Sequence, residues 1–211
     1  MDVRTFTVGP VQENCHIARL DGAADAIVVD PGDEAERLIA AVEALELRVA
    51  AILLTHTHFD HVGAVAALAR HTGAPVYCPR LEVPVLKDIN AYVFPGFGPF
   101  EPYDPEETVE GGERLELAGF DIDVISTPGH SPGHVSYSIA DERVLLDGDV
   151  LFAGSIGRTD LPGGDYATLM ESIATLLNTL PDETRVLPGH MGETTLGRER
   201  ATNPFLHELA R

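Results

Sequence analysis

Apolar positions along this chain follow two different periods, and the changes between them mark out its elements. Residues 3–8, 15–20 and 26–29 read as strands, the third closing at Asp30-Pro31-Gly32. Leu38, Ile39, Val42 and Leu45 then recur at helical spacing and predict a helix over residues 34–45. The short apolar run 49–54 reads as a buried strand. Residues 62–71 are alanine-rich and helical, with Gly73 and Pro75 supplying stop chemistry. Strands resume at 113–117, 120–126, 135–139 and 143–146. A helix follows over 166–180, with Asp165 as its N-cap, and a last strand at 184–187. This order predicts two sheets with helices outside, in one domain spanning residues 1–211, and no linker or repeat divides it.

One segment breaks the pattern. Between residues 88 and 107, Tyr92, Phe94, Phe97, Phe100 and Tyr103 alternate with Pro95, Pro99, Pro102 and Pro105. Five of the thirteen aromatic residues fall there, and loops of this length are functional or mobile, so a wall for a substrate is expected.

Composition narrows the class. Hydrophobic residues make up 44% and charged residues 23% of 211, as in ordinary globular proteins. The formal net charge of −20 repels phosphate backbones and anionic lipid, so neither nucleic acid nor membrane is expected as a partner. The start shows no basic segment followed by an apolar one, which gives a cytoplasmic expectation. Cys15 and Cys78 lie in strand-like runs and read as small buried residues rather than a disulfide or a nucleophile.

The strongest chemical signal is Thr55-His56-Thr57-His58-Phe59-Asp60-His61, directly after the apolar run. In an extended segment His56 and His58 point to the same side, while Asp60 and His61, where the chain turns into a helix, face a neighbouring point. Two adjacent cations can share such a loop, and imidazole with carboxylate suits zinc, iron or manganese. His130 stands in the Gly/Pro-rich turn Thr127-Pro128-Gly129-His130-Ser131-Pro132-Gly133-His134, Asp149 in Asp147-Gly148-Asp149 and His190 in Pro188-Gly189-His190, each just past a strand. Polar ligands at successive strand ends are where sites gather on rigid sheets. His134 reads as a local hydrogen-bonding residue, and His16, His71 and His207 carry no partner signal.

With these residues in view, the chain resembles the metallo-β-lactamase superfamily, marked by H-x-H-x-D-H followed by separate His, Asp and His ligands in this order. The resemblance implies an α/β fold, a four-layer αββα sandwich. It implies that His56, His58 and His130 hold one metal, that Asp60, His61 and His190 hold a second, and that Asp149 bridges them. Two divalent ions are expected, zinc first, with iron or manganese also compatible. A metal-bound hydroxide then replaces a serine or cysteine nucleophile, and Asp60 helps to orient it.

Within the superfamily the chain is most similar to short glyoxalase II-like enzymes, that is, hydroxyacylglutathione hydrolases. Gly148-Asp149-Val150-Leu151-Phe152, Gly157-Arg158-Thr159-Asp160 and Asn203-Pro204-Phe205-Leu206 carry this similarity. It implies hydrolysis of a small-molecule thioester such as S-D-lactoylglutathione, with Arg158 meeting a carboxylate of the thiol. Two departures stand out. The C-terminal helical domain of full-length glyoxalase II is lacking, and Asp160 stands where many members have an aromatic residue. The alternatives are a mononuclear iron persulfide dioxygenase, which shares the Gly-Arg-Thr-Asp stretch, and a lactonase or other ester hydrolase on the same fold.

Overall fold

The computed structural model describes residues 1–207. Three strands open it: Asp2–Val8 (β1), Glu13–Arg19 (β2) and Asp25–Val29 (β3). Helix Ala35–Ala44 (α1) leads to Arg48–Leu53 (β4), a short helix Phe59–Val62 (α2), helix Val65–Thr72 (α3) and Val76–Pro79 (β5). Helix Val83–Lys87 (α4) and an irregular stretch precede Glu107–Val109 (β6). The second half contains Arg114–Leu117 (β7), Phe120–Ser126 (β8), Val135–Ile139 (β9) and Val144–Gly148 (β10), then a small hairpin of Leu151–Phe152 (β11) and Ser155–Ile156 (β12). Helix Tyr166–Thr179 (α5), Arg185–Pro188 (β13), Thr194–Thr195 (β14) and helix Leu196–Thr202 (α6) follow.

The strands form two six-stranded sheets, in the orders β1-β2-β3-β4-β5-β6 and β14-β13-β10-β9-β8-β7. Side-chain alternation assigns each strand face to a layer. Ala26 and Val28 face one core with Leu38 and Val42 of α1, whereas Ile27 and Val29 face another with Tyr137, Val124 and Leu146 of the opposite sheet. The pattern recurs in β4, where Ala51 and Leu53 point between the sheets and Ile52 and Leu54 point outward. Leu145 and Val186 face a third core with Leu169, Ile173 and Leu176 of α5. Three cores separate four layers, the αββα sandwich that the resemblance implies.

The differences from the sequence reading have local causes. The helix expected over 62–71 is split into α2, which ends at Val62, and α3, which begins at Val65; Gly63 between them is in close contact, since a Cβ there would stand 2.3 Å from the Gly32 carbonyl oxygen and 2.8 Å from the Phe100 ring. Helix α4 has only five residues and carries Pro84, so it gives no periodic signal. Strand β6 exists through parallel pairing with β5, Cys78 opposite Thr108, and not through its own pattern. Cys15 and Cys78 are free and fully buried. Among the described residues no helix is long and apolar enough to cross a membrane.

Candidate metal centre

Four strand ends bring the site together. The segment after β4 carries His56, His58, Asp60 and His61. The turn after β8 carries His130, Asp149 directly follows β10, and His190 lies two residues beyond β13. Strands β10 and β13 are parallel, and β9 runs antiparallel to both β8 and β10. The C-terminal ends of β8, β10 and β13 therefore share one edge of their sheet. All seven expected ligand residues meet at that rim.

His56 Nε2, His58 Nδ1 and His130 Nε2 form a triangle with edges of 3.1, 2.8 and 3.2 Å. The surrounding hydrogen bonds assign the tautomers of two of them. Thr55 Oγ1 donates to Asp30 Oδ2 at 2.6 Å, so its lone pair accepts from His56 Nδ1 at 3.0 Å. His130 Nδ1 donates to the Arg158 carbonyl at 2.8 Å. Both imidazoles thus turn unprotonated Nε2 atoms toward the same point. Burial, reinforced by the neighbouring histidines, pushes the His56 pKa far down and that of His58 to about 4, so both rings are neutral donors. The two lone pairs converge beside His58 Nδ1, an arrangement that fits a cation.

The second group is Asp60, His61 and His190. Asp60 Oδ2 lies 3.2 Å from His190 Nε2 and 3.8 Å from His61 Nε2. His61 Nδ1 donates to Asp30 Oδ2 at 3.0 Å, which leaves its Nε2 facing Asp149 Oδ1 at 3.5 Å. Asp149 stands between the groups, with Oδ2 3.4 Å from His130 Nε2 and 3.6 Å from His190 Nε2. Burial works against the charge on Asp149, but His61, His130 and His190 outweigh it and hold the carboxyl far below the usual range. His61 Nε2 and Asp149 Oδ1 are buried with no hydrogen-bond partner. Such orphaned atoms are rare in native structures and here fit coordination. Gly189 makes this closeness possible, since a Cβ there would stand 2.4 Å from Asp149 Oδ1 and 2.6 Å from His61 Cε1.

Several supporting residues surround the ligands: His134 is the local hydrogen-bonding residue expected from the sequence, whereas Asp30 and Asn14 were not singled out. Asp30 orients both His61 and, through Thr55, His56. His134 Nε2 accepts the Asp149 backbone N–H at 3.1 Å while its Nδ1 donates to Thr127 Oγ1 at 2.9 Å, so it fixes the Asp149 backbone. Asn14 Nδ2 donates to the carbonyls of Pro188 and Met191 at 3.1 and 2.8 Å, and His16 Nε2 donates to Pro188 at 3.2 Å. Strand β2 thereby holds the His190 turn. A lone residue of this kind has no periodic or motif signal, and only the pairing of distant segments reveals it.

Burial pushes the His16 pKa down to about 4. The folded state thus keeps this ring neutral while the unfolded chain protonates near 6.5. Its contribution to stability is complete above pH 6.5 and is lost as the pH falls toward about 4. At about 1.4 kcal/mol for each pH unit between those two values, the loss amounts to roughly 3 kcal/mol. NMR titration of the His16 imidazole should show no protonation until the pH approaches 4. A midpoint near 6.5 in the folded protein would contradict this environment.

At the mouth, Phe59 lies between His58 and Asp60 and meets the aromatic loop, with ring centroids 4.8 Å from Phe97, 6.1 Å from Phe94 and 6.0 Å from Phe100. The loop expected to wall the site is therefore anchored on the segment that carries the ligands. Arg158 is exposed, and its guanidinium makes a two-pronged pair with Asp160 at 2.7 and 2.8 Å. Its side chain is already neutralised, while its backbone orients His130.

Residues 8–190 match the model of the metallo-beta-lactamase superfamily. The chain belongs to this superfamily. It is 39% identical over 215 residues to hydroxyacylglutathione hydrolase GloC of Haemophilus influenzae, covering 98% of this chain and 99% of that one. Among solved structures, the BLEG-1 B3 metallo-beta-lactamase superposes with a TM-score of 0.92 at 40% identity, covering 98% of this chain and all of that one. TTHA1623 in a di-iron-bound form superposes with a TM-score of 0.86 at 42% identity, covering 96% of this chain and 100% of that one. Membership makes the chain a metallo-hydrolase of this superfamily, and the fold with its histidine-rich cluster implies divalent metal ions.

Proposed function

We propose that this chain hydrolyses a thioester of the S-2-hydroxyacylglutathione type. His56, His58 and His130 would hold one divalent ion, Asp60, His61 and His190 a second, and Asp149 both. Zinc is the first choice, and the di-iron form of TTHA1623 makes iron the competing occupant. The observation that carries the reading is the pair of facing donor groups joined by Asp149, in a chain so similar throughout its length to a hydroxyacylglutathione hydrolase. Two such ions, when bound, supply water deprotonated near neutral pH and polarise an acyl carbonyl.

The chain's own residues do the rest. Asp60 is half-buried, and although burial opposes its charge, His61 and His190 hold its carboxyl below the usual range, so it stays ionised and orients the attacking water by accepting a hydrogen bond from it. The aromatic wall around Phe59 keeps bulk water away from the acyl group. A thiolate leaves readily near neutral pH, so the cleavage calls for no strong acid beside the leaving group.

Arg158 would meet a carboxylate of the thiol, in competition with Asp160. Asp160→Asn is then expected to lower KM for S-D-lactoylglutathione by about 2–5-fold, the scale of an exposed ion pair, and Arg158→Ala to raise it. Neither should alter KM for a neutral thioester. Unchanged KM in both variants would place recognition of the thiol elsewhere.

The function is tested by metal content together with thiol release from S-D-lactoylglutathione. Two ions per chain with thiol release is the expected result, and two ions without it would overturn the thioester reading. The BLEG-1 likeness favours one second reading, hydrolysis of a β-lactam amide at the same centre, so a cephalosporin belongs in the same assay. One iron per chain with oxygen uptake on a glutathione persulfide would instead identify a dioxygenase.

A further inference from the structure

A carboxylate outside the ligand set joins the two loops of the first metal site. Glu82, between β5 and α4, is only 4% exposed. Its Oε2 accepts from Thr57 Oγ1 at 2.8 Å. Its Oε1 accepts from Ser131 Oγ at 2.7 Å and from the Gly133 backbone N–H at 2.8 Å. Thr57 separates His56 from His58, and Ser131 directly follows His130. Thr57 and Ser131 are themselves buried, at 0% and 3% exposure. Both oxygens are thus engaged, each one residue away from a member of the imidazole triangle.

We propose that Glu82 is a positioning residue that sets the spacing of His56 and His58 against His130, and so tunes the affinity of the first metal site without touching the ion. This rests on the ligand roles proposed above. Three features argue for it. Hydrogen bonds to an ionised acceptor are stronger and more directional than neutral ones, and three of them converge on this group. Among the described residues none of its hydrogen-bond donors is a lysine or arginine, so there the carboxylate is not one half of a buried ion pair and is met by the two loops. The link is also selective. It spans the loops of His56, His58 and His130, whereas the His190 turn is held by Asn14 and His16 on the other side of the centre. Partners of this kind around metal ligands typically govern affinity by about 10–100-fold.

The experiment is a cobalt(II) titration of the full chain, read by visible absorption, for wild type, Glu82→Ala and Glu82→Gln. His58→Ala and His190→Ala supply reference spectra for loss of the first or second site. Wild type should bind two equivalents. Glu82→Ala should bind one equivalent with wild-type affinity and the other about 10–100-fold more weakly, with a one-equivalent spectrum matching that of His58→Ala. Glu82→Gln keeps the shape but loses an acceptor, should show a smaller shift of the same sign, and carries the test if the alanine variant does not fold. Equal weakening of both sites, or a lowered Tm with both affinities unchanged, would overturn the proposal and leave Glu82 a general structural residue. A wild type that binds fewer than two equivalents would overturn the two-metal reading, and this proposal with it.

Discussion

Asp149→Asn is expected to lower kcat/KM for thioester hydrolysis by on the order of 10³-fold, or about 4 kcal/mol of transition-state stabilisation, and to leave fewer than two ions per chain. Among the described residues, Asp149 is the carboxylate whose two oxygens face both donor groups, Oδ1 toward His61 and Oδ2 toward His130 and His190. An amide keeps the shape but removes the charge, and its NH₂ must face imidazole nitrogens on one side. The backbone should stay in place, because His134 holds the N–H of residue 149 independently of the side chain. Metal analysis and steady-state kinetics on the same sample check this. Two retained ions with near-wild-type turnover would remove Asp149 from the bridging role.

Stripping the metals should cost stability as well as activity. Linkage at one site held at about 1,000 times Kd is worth about 4 kcal/mol. For a domain of this size that corresponds to a fall in Tm of roughly 8–16 °C, recovered when zinc is returned. The reason is visible in the buried groups. Among the described residues, His61 Nε2 and Asp149 Oδ1 have no partner of their own. In the stripped protein, burial opposes charge on His61, but Asp149 and Asp60 outweigh it and hold its pKa well above 6.5. That internal compensation is complete below pH 6.5 and is lost as the pH rises through the folded-state value. The Tm gap between loaded and stripped protein should therefore widen as the pH is raised. A chelator that abolishes turnover while leaving Tm unchanged at all pH values would show that the centre does not support the fold.

Both the layers and the site could be read to different depths in the sequence. Runs such as Ala26 to Val29 and Ala51 to Leu54 are apolar throughout because both faces of their strands are covered, one by a helix layer and one by the other sheet. That made the strands visible and two covered sheets a natural expectation. Helix α1 was legible from Leu38 and Val42, which face its core. Strands β11, β12 and β14 were not, since two residues cannot show a period and their pairing depends on distant partners. The seven residues that converge at the rim stood out because they cluster or follow strands beside glycine and proline. The groups that aim them did not. Asp30, Glu82 and Asn14 act across sequence separations of 31, 49 and 174 residues, and no local pattern encodes such distances.

The hold of β2 on the His190 turn also bears on how the protein is made. Asn14 and Pro188 are 174 residues apart in the chain, and Gln12 accepts from His190 Nδ1 across 178. At about 5–20 residues per second of synthesis, roughly 9–35 s pass between the emergence of the first partner and of the last. The donors of the first group, through His130, emerge well before His190, the last member of the second group. Until His190 emerges, the second group is an unfinished set of donors. The hold of β2 on the His190 turn is accordingly among the last contacts the chain can make, although one of its partners is among the first residues synthesised.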